Sequence, residues 1–237
     1  MNMNPFYGII MEYLDNYKDI LRCCINIGTC SYQYVKRLEF KCSYDIDFIT
    51  SCSNVELLSI MDSSIDFLDL KLISEKCKKI KILNLHGSRN LRRLPPSLKN
   101  LTNLICLDMC WTSLDRSSLQ YVGEIKSLVF LFMCHCSLTD ISFMYNLVNL
   151  ESINIRNNRV CLTSGIRRLD KLYNLDISYN PTIRDISCLE FMNLTKLYVS
   201  GTSIRNMEII QSLPKLNLLG FRDIILNSRE SIINVFK

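Results

Sequence analysis

One pattern governs the chain: an apolar residue, two residues of any kind, an apolar residue, one of any kind, and an apolar residue. Nine copies fall in register, beginning at Val35, Val55, Ile80, Leu104, Leu128, Leu150, Leu172, Leu194 and Leu216. Successive starts are 20, 25, 24, 24, 22, 22, 22 and 22 residues apart. Repetition at a period of about 20–50 residues implies stacking, because one such unit cannot bury its apolar side alone. Alternation at positions 4 and 6 of the pattern is strand periodicity. The rest of each repeat carries apolar residues three apart, as in Ile141, Met144, Leu147 and Leu150, which suits a short helical or 3₁₀ return. The predicted fold class is therefore an α/β solenoid. A curved parallel sheet, roughly 40 Å wide for nine strands at about 4.8 Å, lines its concave face, and short helical or 3₁₀ segments line its convex face.

The best copies run on with the same regularity: Leu150, Ile153, Ile155, Asn158, Val160, and Leu194, Leu197, Val199, Thr202, Ile204. This resembles the leucine-rich-repeat family, L-x-x-L-x-L-x-x-N-x-L, over about 190 residues. The resemblance implies that the position 9 side chain bonds the backbone of neighbouring turns. Ser43, Ser63, Ser88, Thr112, Cys136, Asn158, Asn180, Thr202 and Ile224 occupy it. Asn serves best, having donor and acceptor, so the ladder is expected to be weaker in the first half. Ile224 cannot bond and marks the ninth repeat as a modified terminal copy. Repeats three and seven carry a one-residue insertion, since the next apolar residues are Leu91 and Ile183, and the first repeat is irregular, with Ile46 one place late.

Three regions follow: an N-terminal segment 1–34, repeats 35–226, and a C-terminal cap 227–237 in which Ser228 begins a short amphipathic helix. In the first region Ile9, Ile10, Tyr13 and Leu14, then Ile20, Leu21 and Cys24, predict two helices broken near Asp15 and Asn16. The stretch Tyr13 to Cys23 is similar to the centre of an F-box, with Pro5 standing for that family's early proline. That resemblance implies a ubiquitin-ligase adaptor held by Pro5, Ile10, Leu14, Ile20 and Leu21. The other reading of the segment is a plain helical cap, since Asn4 replaces the family's leucine and no Trp follows.

Positions 3, 5 and 7 should face outward on the concave side. Read along the repeats they are charged first, apolar in the middle and polar last. A protein-binding face is predicted there, anchored by Trp111, Phe130 and Phe132, extended by Leu57, Met61 and Ile82, with Asp108, Arg156 and Tyr198 for polar specificity. Aromatic anchors bury about 150–250 Å² each, approaching the roughly 800 Å² per partner of a standard interface. The alternative is that another element folds over them. The expected function is a non-enzymatic scaffold for a protein partner of unknown identity. Two alternatives are a ubiquitin-ligase substrate receptor and a subunit like the phosphatase regulators of 22-residue repeats, which repeats six to nine resemble.

Chemistry is not expected. The chain has two His, isolated Gly residues, and no phosphate-loop, dinucleotide, nucleophile-elbow or H-E-x-x-H pattern. Cys106 and Cys110, four residues apart on a strand, would be about 13 Å apart and could not share a metal. Cys136 should point inward, and Cys110 and Cys134 should be cross-strand neighbours. His86 and Asp108 read as a solvated polar pair, so neither metal nor cofactor is expected. The basic clusters around Lys76 to Lys81 and Arg89 to Arg93 fall outside the concave positions, and a net charge of +5 is mild, so nucleic acid is not an expected partner. No apolar run reaches membrane length and no secretory leader opens the chain, which predicts a cytoplasmic protein with reduced thiols. The chain lacks Ala altogether. In this, and in its Asn, Ile and Cys content, it is similar to leucine-rich-repeat proteins of large AT-rich DNA viruses, particularly poxviruses, a resemblance that implies a factor acting on host proteins in the host cytoplasm.

Overall fold

The computed structural model describes residues 35–221 and the backbone strand at 224–226. The F-box-like segment, with Pro5, Ile10, Leu14, Ile20 and Leu21, and the cap at 227–237 lie outside the described residues. Nine strands run parallel in chain order: β1 (Arg37–Lys41), β2 (Leu57–Met61), β3 (Ile82–Asn84), β4 (Cys106–Asp108), β5 (Phe130–Phe132), β6 (Ser152–Asn154), β7 (Asn174–Asp176), β8 (Lys196–Tyr198) and β9 (Leu218–Phe221). Each pairs with the next at the same motif position. Leu38, Leu58, Leu83, Leu107, Leu131, Ile153, Leu175, Leu197 and Leu219 therefore form one unbroken row of facing partners. All nine are buried, as are the nine position 1 residues from Val35 to Leu216. A slip of one residue would turn that row to the other face, so the apolar pattern fixes the register.

Repeat length contributes to the return path without setting it alone. The 25-residue second repeat has room for a ten-residue helix, while the 22-residue repeats make tight 3₁₀ turns. The helix α1 (Ile46–Ser51) closes the first repeat, although that repeat spans only 20 residues, and α2 (Phe67–Lys76) closes the second, with Asp45 and Asp66 accepting backbone N–H bonds as N-caps. In the fourth, the 3₁₀ turn Arg116–Ser118 leads into α3 (Gln120–Gly123). The other described repeats return through 3₁₀ turns, for example Ser142–Asn146 and Ser164–Arg168. The one-residue insertions in repeats three and seven are accommodated as expected: Leu91 and Ile183 are both buried. Their N–H groups each bond the position 9 carbonyl, Ser88 O and Asn180 O, at 3.1 Å. No helix among the described residues is long and apolar enough to cross a membrane.

Position 9 tightens the solenoid by bonding carbonyls that the sheet leaves over. Asn158 donates to Met133 O and Ile155 O at 2.8 Å each, and its Oδ1 accepts from Cys136 N at 3.0 Å and Leu138 N at 2.9 Å. Asn180 repeats the scheme one turn on, donating to Ile155 O and Ile177 O at 2.9 Å. Earlier repeats do less: Thr112 donates to Met109 O at 2.7 Å, and the Cys136 thiol lies 3.0 Å from the same carbonyl. The ninth repeat departs further from the motif than its sequence suggests. Ile224 does not occupy a position 9 turn but opens β10 (Ile224–Leu226). That strand pairs back antiparallel on β9, Phe221 opposite Ile224 and Leu219 opposite Leu226.

Candidate functional site

The strands are only three residues long in the middle of the sheet, so the chain must satisfy the backbone beyond them by other means. Position 5 does this in repeats three, four, six and seven. Oδ1 of Asn84, Asp108, Asn154 and Asp176 accepts the N–H two residues on, from His86 (3.0 Å), Cys110 (2.9 Å), Arg156 (3.1 Å) and Ser178 (2.9 Å). Repeat five has Phe132 at this position, and the orphaned N–H of Cys134 instead bonds Cys110 Sγ at 3.0 Å. Position 8 then reaches sideways. The N–H groups of Asp62, Gly87, Trp111, His135, Asn157 and Tyr179 bond the position 7 carbonyl of the next repeat at 2.6–3.0 Å.

That sideways reach requires a left-handed backbone. From Cys42 through Asp62, Gly87, Trp111, His135, Asn157, Tyr179 and Gly201, every position 8 residue has φ between 51° and 73°. A non-glycine residue so held costs about 1–3 kcal/mol, offset by the bond to the neighbouring turn. The geometry also turns these side chains out along one edge of the sheet, where they meet one another. Trp111 stacks on His135, ring centroids 3.7 Å apart and 11° from parallel. The Arg156 guanidinium lies over the Tyr179 ring at 4.4 Å. Trp111 is 43% exposed, and Arg156 is also exposed. Burial, the Arg156 charge and His86 all depress the His135 pKa, which keeps that stacked ring neutral near pH 7.

The centre of the concave face is different from what its sequence suggests. Phe130 and Phe132, expected to stand out as anchors, are 3% and 2% exposed. They form a packed cluster with Cys106, Cys110 and Cys134, against which Ile82 and Tyr198 also lie. Asp108, expected to supply polar specificity, is 7% exposed with one carboxylate oxygen engaged by its own turn. Leu57, Met61, Ile82 and Tyr198 are half-buried. The structure thus gathers the predicted residues into two groups, a closed central cluster and an open edge carrying Trp111 and Arg156. His135 and Tyr179 complete that edge and were not singled out by sequence, because nothing in the motif marks position 8. The recurrent Asn or Asp at position 5 was the legible signal for the turn caps.

Burial pushes the carboxyls of Asp108 and Asp176 upward, against the opposing pull of the N–H groups they accept, of His86 on Asp108, and of Arg156 on Asp176. A folded pKa raised in this way favours the folded state at low pH, and that contribution is lost as pH rises through the folded value. Asp176→Asn keeps an oxygen for the Ser178 N–H and removes the buried charge. It is expected to raise the midpoint of urea unfolding by more at pH 8 than at pH 3, because burial holds this carboxyl above the ordinary carboxylate range; an equal effect at both pH values would refute this account.

No protein-family model matches the chain. It is 23% identical over 192 residues to a probable disease resistance protein of Arabidopsis thaliana, which covers 78% of this chain; the chain spans only 19% of that relative's length. An internalin from Listeria monocytogenes superposes with a TM-score of 0.61 at 23% identity, over 76% of this chain and 57% of the internalin. The Arabidopsis receptor kinase HAESA, solved in complex with the peptide hormone IDA and the co-receptor SERK1, superposes at 0.59 with 19% identity, over 72% of this chain and 30% of HAESA. With the register of nine parallel strands, the position 9 ladder and these likenesses, the fold is that of a leucine-rich-repeat solenoid.

Proposed function

We propose that the chain is a non-enzymatic protein-binding scaffold whose binding strip is the left-handed edge of the concave sheet, from Trp111 through His135 and Arg156 to Tyr179. The observation that carries this reading is an exposed, stacked Trp held in a strained backbone beside an Arg–Tyr pair. Trp, Tyr and Arg are the side chains that most often dominate binding energy, and backbone strain concentrates at functional positions. HAESA, with the same fold, is solved with a peptide hormone, which supports recognition of a peptide or protein segment here.

Trp111→Gly separates binding from folding. Glycine adopts positive φ without penalty, so this variant is expected to unfold within about 1 kcal/mol of the parent, the relieved strain offsetting the lost stacking. Combined with Arg156→Ala it should lower recovery of the bound partner at least tenfold in affinity purification with the full chain, as expected for removal of two binding hot spots at about 2 kcal/mol each. Val148→Ala, at an exposed site away from the strip, is the control. Undiminished recovery with the double variant would sink the proposed strip.

A narrower reading, that the scaffold delivers its partner to a ubiquitin ligase, is supported only by the F-box-like residues Tyr13 to Cys23. Co-purification of the adaptor with the full chain, and its loss with Leu14→Asp, tests it; a full chain that brings down no adaptor ends it.

A further inference from the structure

The sheet register brings together a set of side chains that sequence spacing keeps apart. His86 at position 7 of repeat three lies beside Asp108 and Cys110, at positions 5 and 7 of repeat four. One donor atom from each of the three lies within 4.8 Å of the others. His86 Nδ1 is 3.9 Å from Asp108 Oδ2. Unlike Cys106 and Cys110, which belong to one repeat, this trio is drawn from two neighbouring repeats, at or just past the ends of β3 and β4.

We infer that His86, Asp108 and Cys110 form a mononuclear site for a zinc-class divalent cation, pinning repeat three to repeat four at the mouth of the central cluster. Imidazole nitrogen, carboxylate oxygen and thiolate sulfur are the donor types such ions take. Metal–ligand bonds of about 2.0–2.3 Å put tetrahedral donors roughly 3.3–3.7 Å apart, so a closure of about 1 Å by side-chain rotation completes the geometry. Two hydrogen bonds already orient the donors. Asp108 Oδ1 is held by the Cys110 N–H, leaving Oδ2 turned toward His86. Cys110 Sγ accepts the Cys134 N–H, which offsets only in part the Cys134 side chain, the burial and the nearby Asp108 that push this thiol upward, so the metal itself must draw off the proton. Both come from the local departure at Phe132, which frees the Cys134 N–H, and from the position 5 cap. On binding, the Cys110 thiol gives its proton to solvent, and carboxylate and thiolate together bring two negative charges to the doubly charged ion. The fourth position falls to water, reached past the His86 side chain, which is 39% exposed.

Cobalt(II) is the probe. The full chain, kept reduced and stripped with a chelator, is titrated with Co²⁺ and then with Zn²⁺. The expected result is a near-ultraviolet thiolate-to-cobalt charge-transfer band that saturates at one equivalent and is displaced by zinc. Cys110→Ser should abolish the band, and His86→Ala should weaken cobalt binding at least tenfold. Cys161→Ser, at an exposed cysteine, should leave both unchanged. His86 is only half-buried, so its variant decides the question if Cys110→Ser does not fold. Absence of the band in the parent, its survival in Cys110→Ser, or unchanged affinity in His86→Ala would overturn the assignment.

Discussion

Asn158→Ala is expected to destabilise the solenoid by about 3–5 kcal/mol, seen as a fall in the urea midpoint at unchanged slope. Asn158 is buried and closes five backbone hydrogen bonds to two repeats. After truncation Ile155 O keeps Asn180 as its donor, but Cys136 N, Leu138 N and Met133 O lose their partner. Each buried group left unsatisfied costs about 1–3 kcal/mol. Thr112→Val makes the comparison: it removes one hydroxyl bond to Met109 O and should cost about 1 kcal/mol. If the two variants fall by similar amounts, the asparagine is not the keystone of its turn.

Phe130→Asp and Phe132→Asp should both destabilise, and by different amounts, although the two rings are chemically identical and almost equally buried. Each loses an aromatic packed in the central cluster, about 3–5 kcal/mol. At position 5, however, Asp108 and Asp176 bond the N–H two residues ahead, as Asn84 and Asn154 do. Aspartate at 132 can do the same with the Cys134 N–H in place of its weak bond to Cys110 Sγ, recovering about 1 kcal/mol. Phe130 occupies position 3, where no such bond recurs, so its replacement should be the more damaging by that margin. Equal losses in chemical denaturation would show that the position 5 cap has no general value. The pair also makes a poor probe of binding, because losing the fold would masquerade as losing the partner.

Much of the architecture is legible in the chain because it depends on side-chain identity. The row from Leu38 to Leu219 and the insertions at Leu91 and Ile183 are matters of which residues are apolar. So is the thinner ladder before Asn158, which follows from which side chains carry both donor and acceptor. The left-handed edge is not legible, because hydrogen bonding between neighbouring backbones imposes it whatever the residue: Cys42, Asp62, Trp111 and Tyr179 share a conformation and nothing else. Burial of Phe130 and Phe132 was missed because alternation says which face a side chain takes, not how closely its neighbours crowd it. The metal-ligand trio depends on register between residues more than 20 apart in the chain, and the turn-back at β10 on a pairing that breaks the repeat.

The left-handed edge has a consequence for how such a protein changes over generations. Its side chains project from a backbone whose shape is dictated by the neighbouring turn, so replacing one leaves the stacked interior untouched. Residues as unlike as glycine, cysteine, histidine and tryptophan already occupy it. Replacement along this row can alter the exposed edge one rung at a time while the Leu and Ile beneath it stay packed.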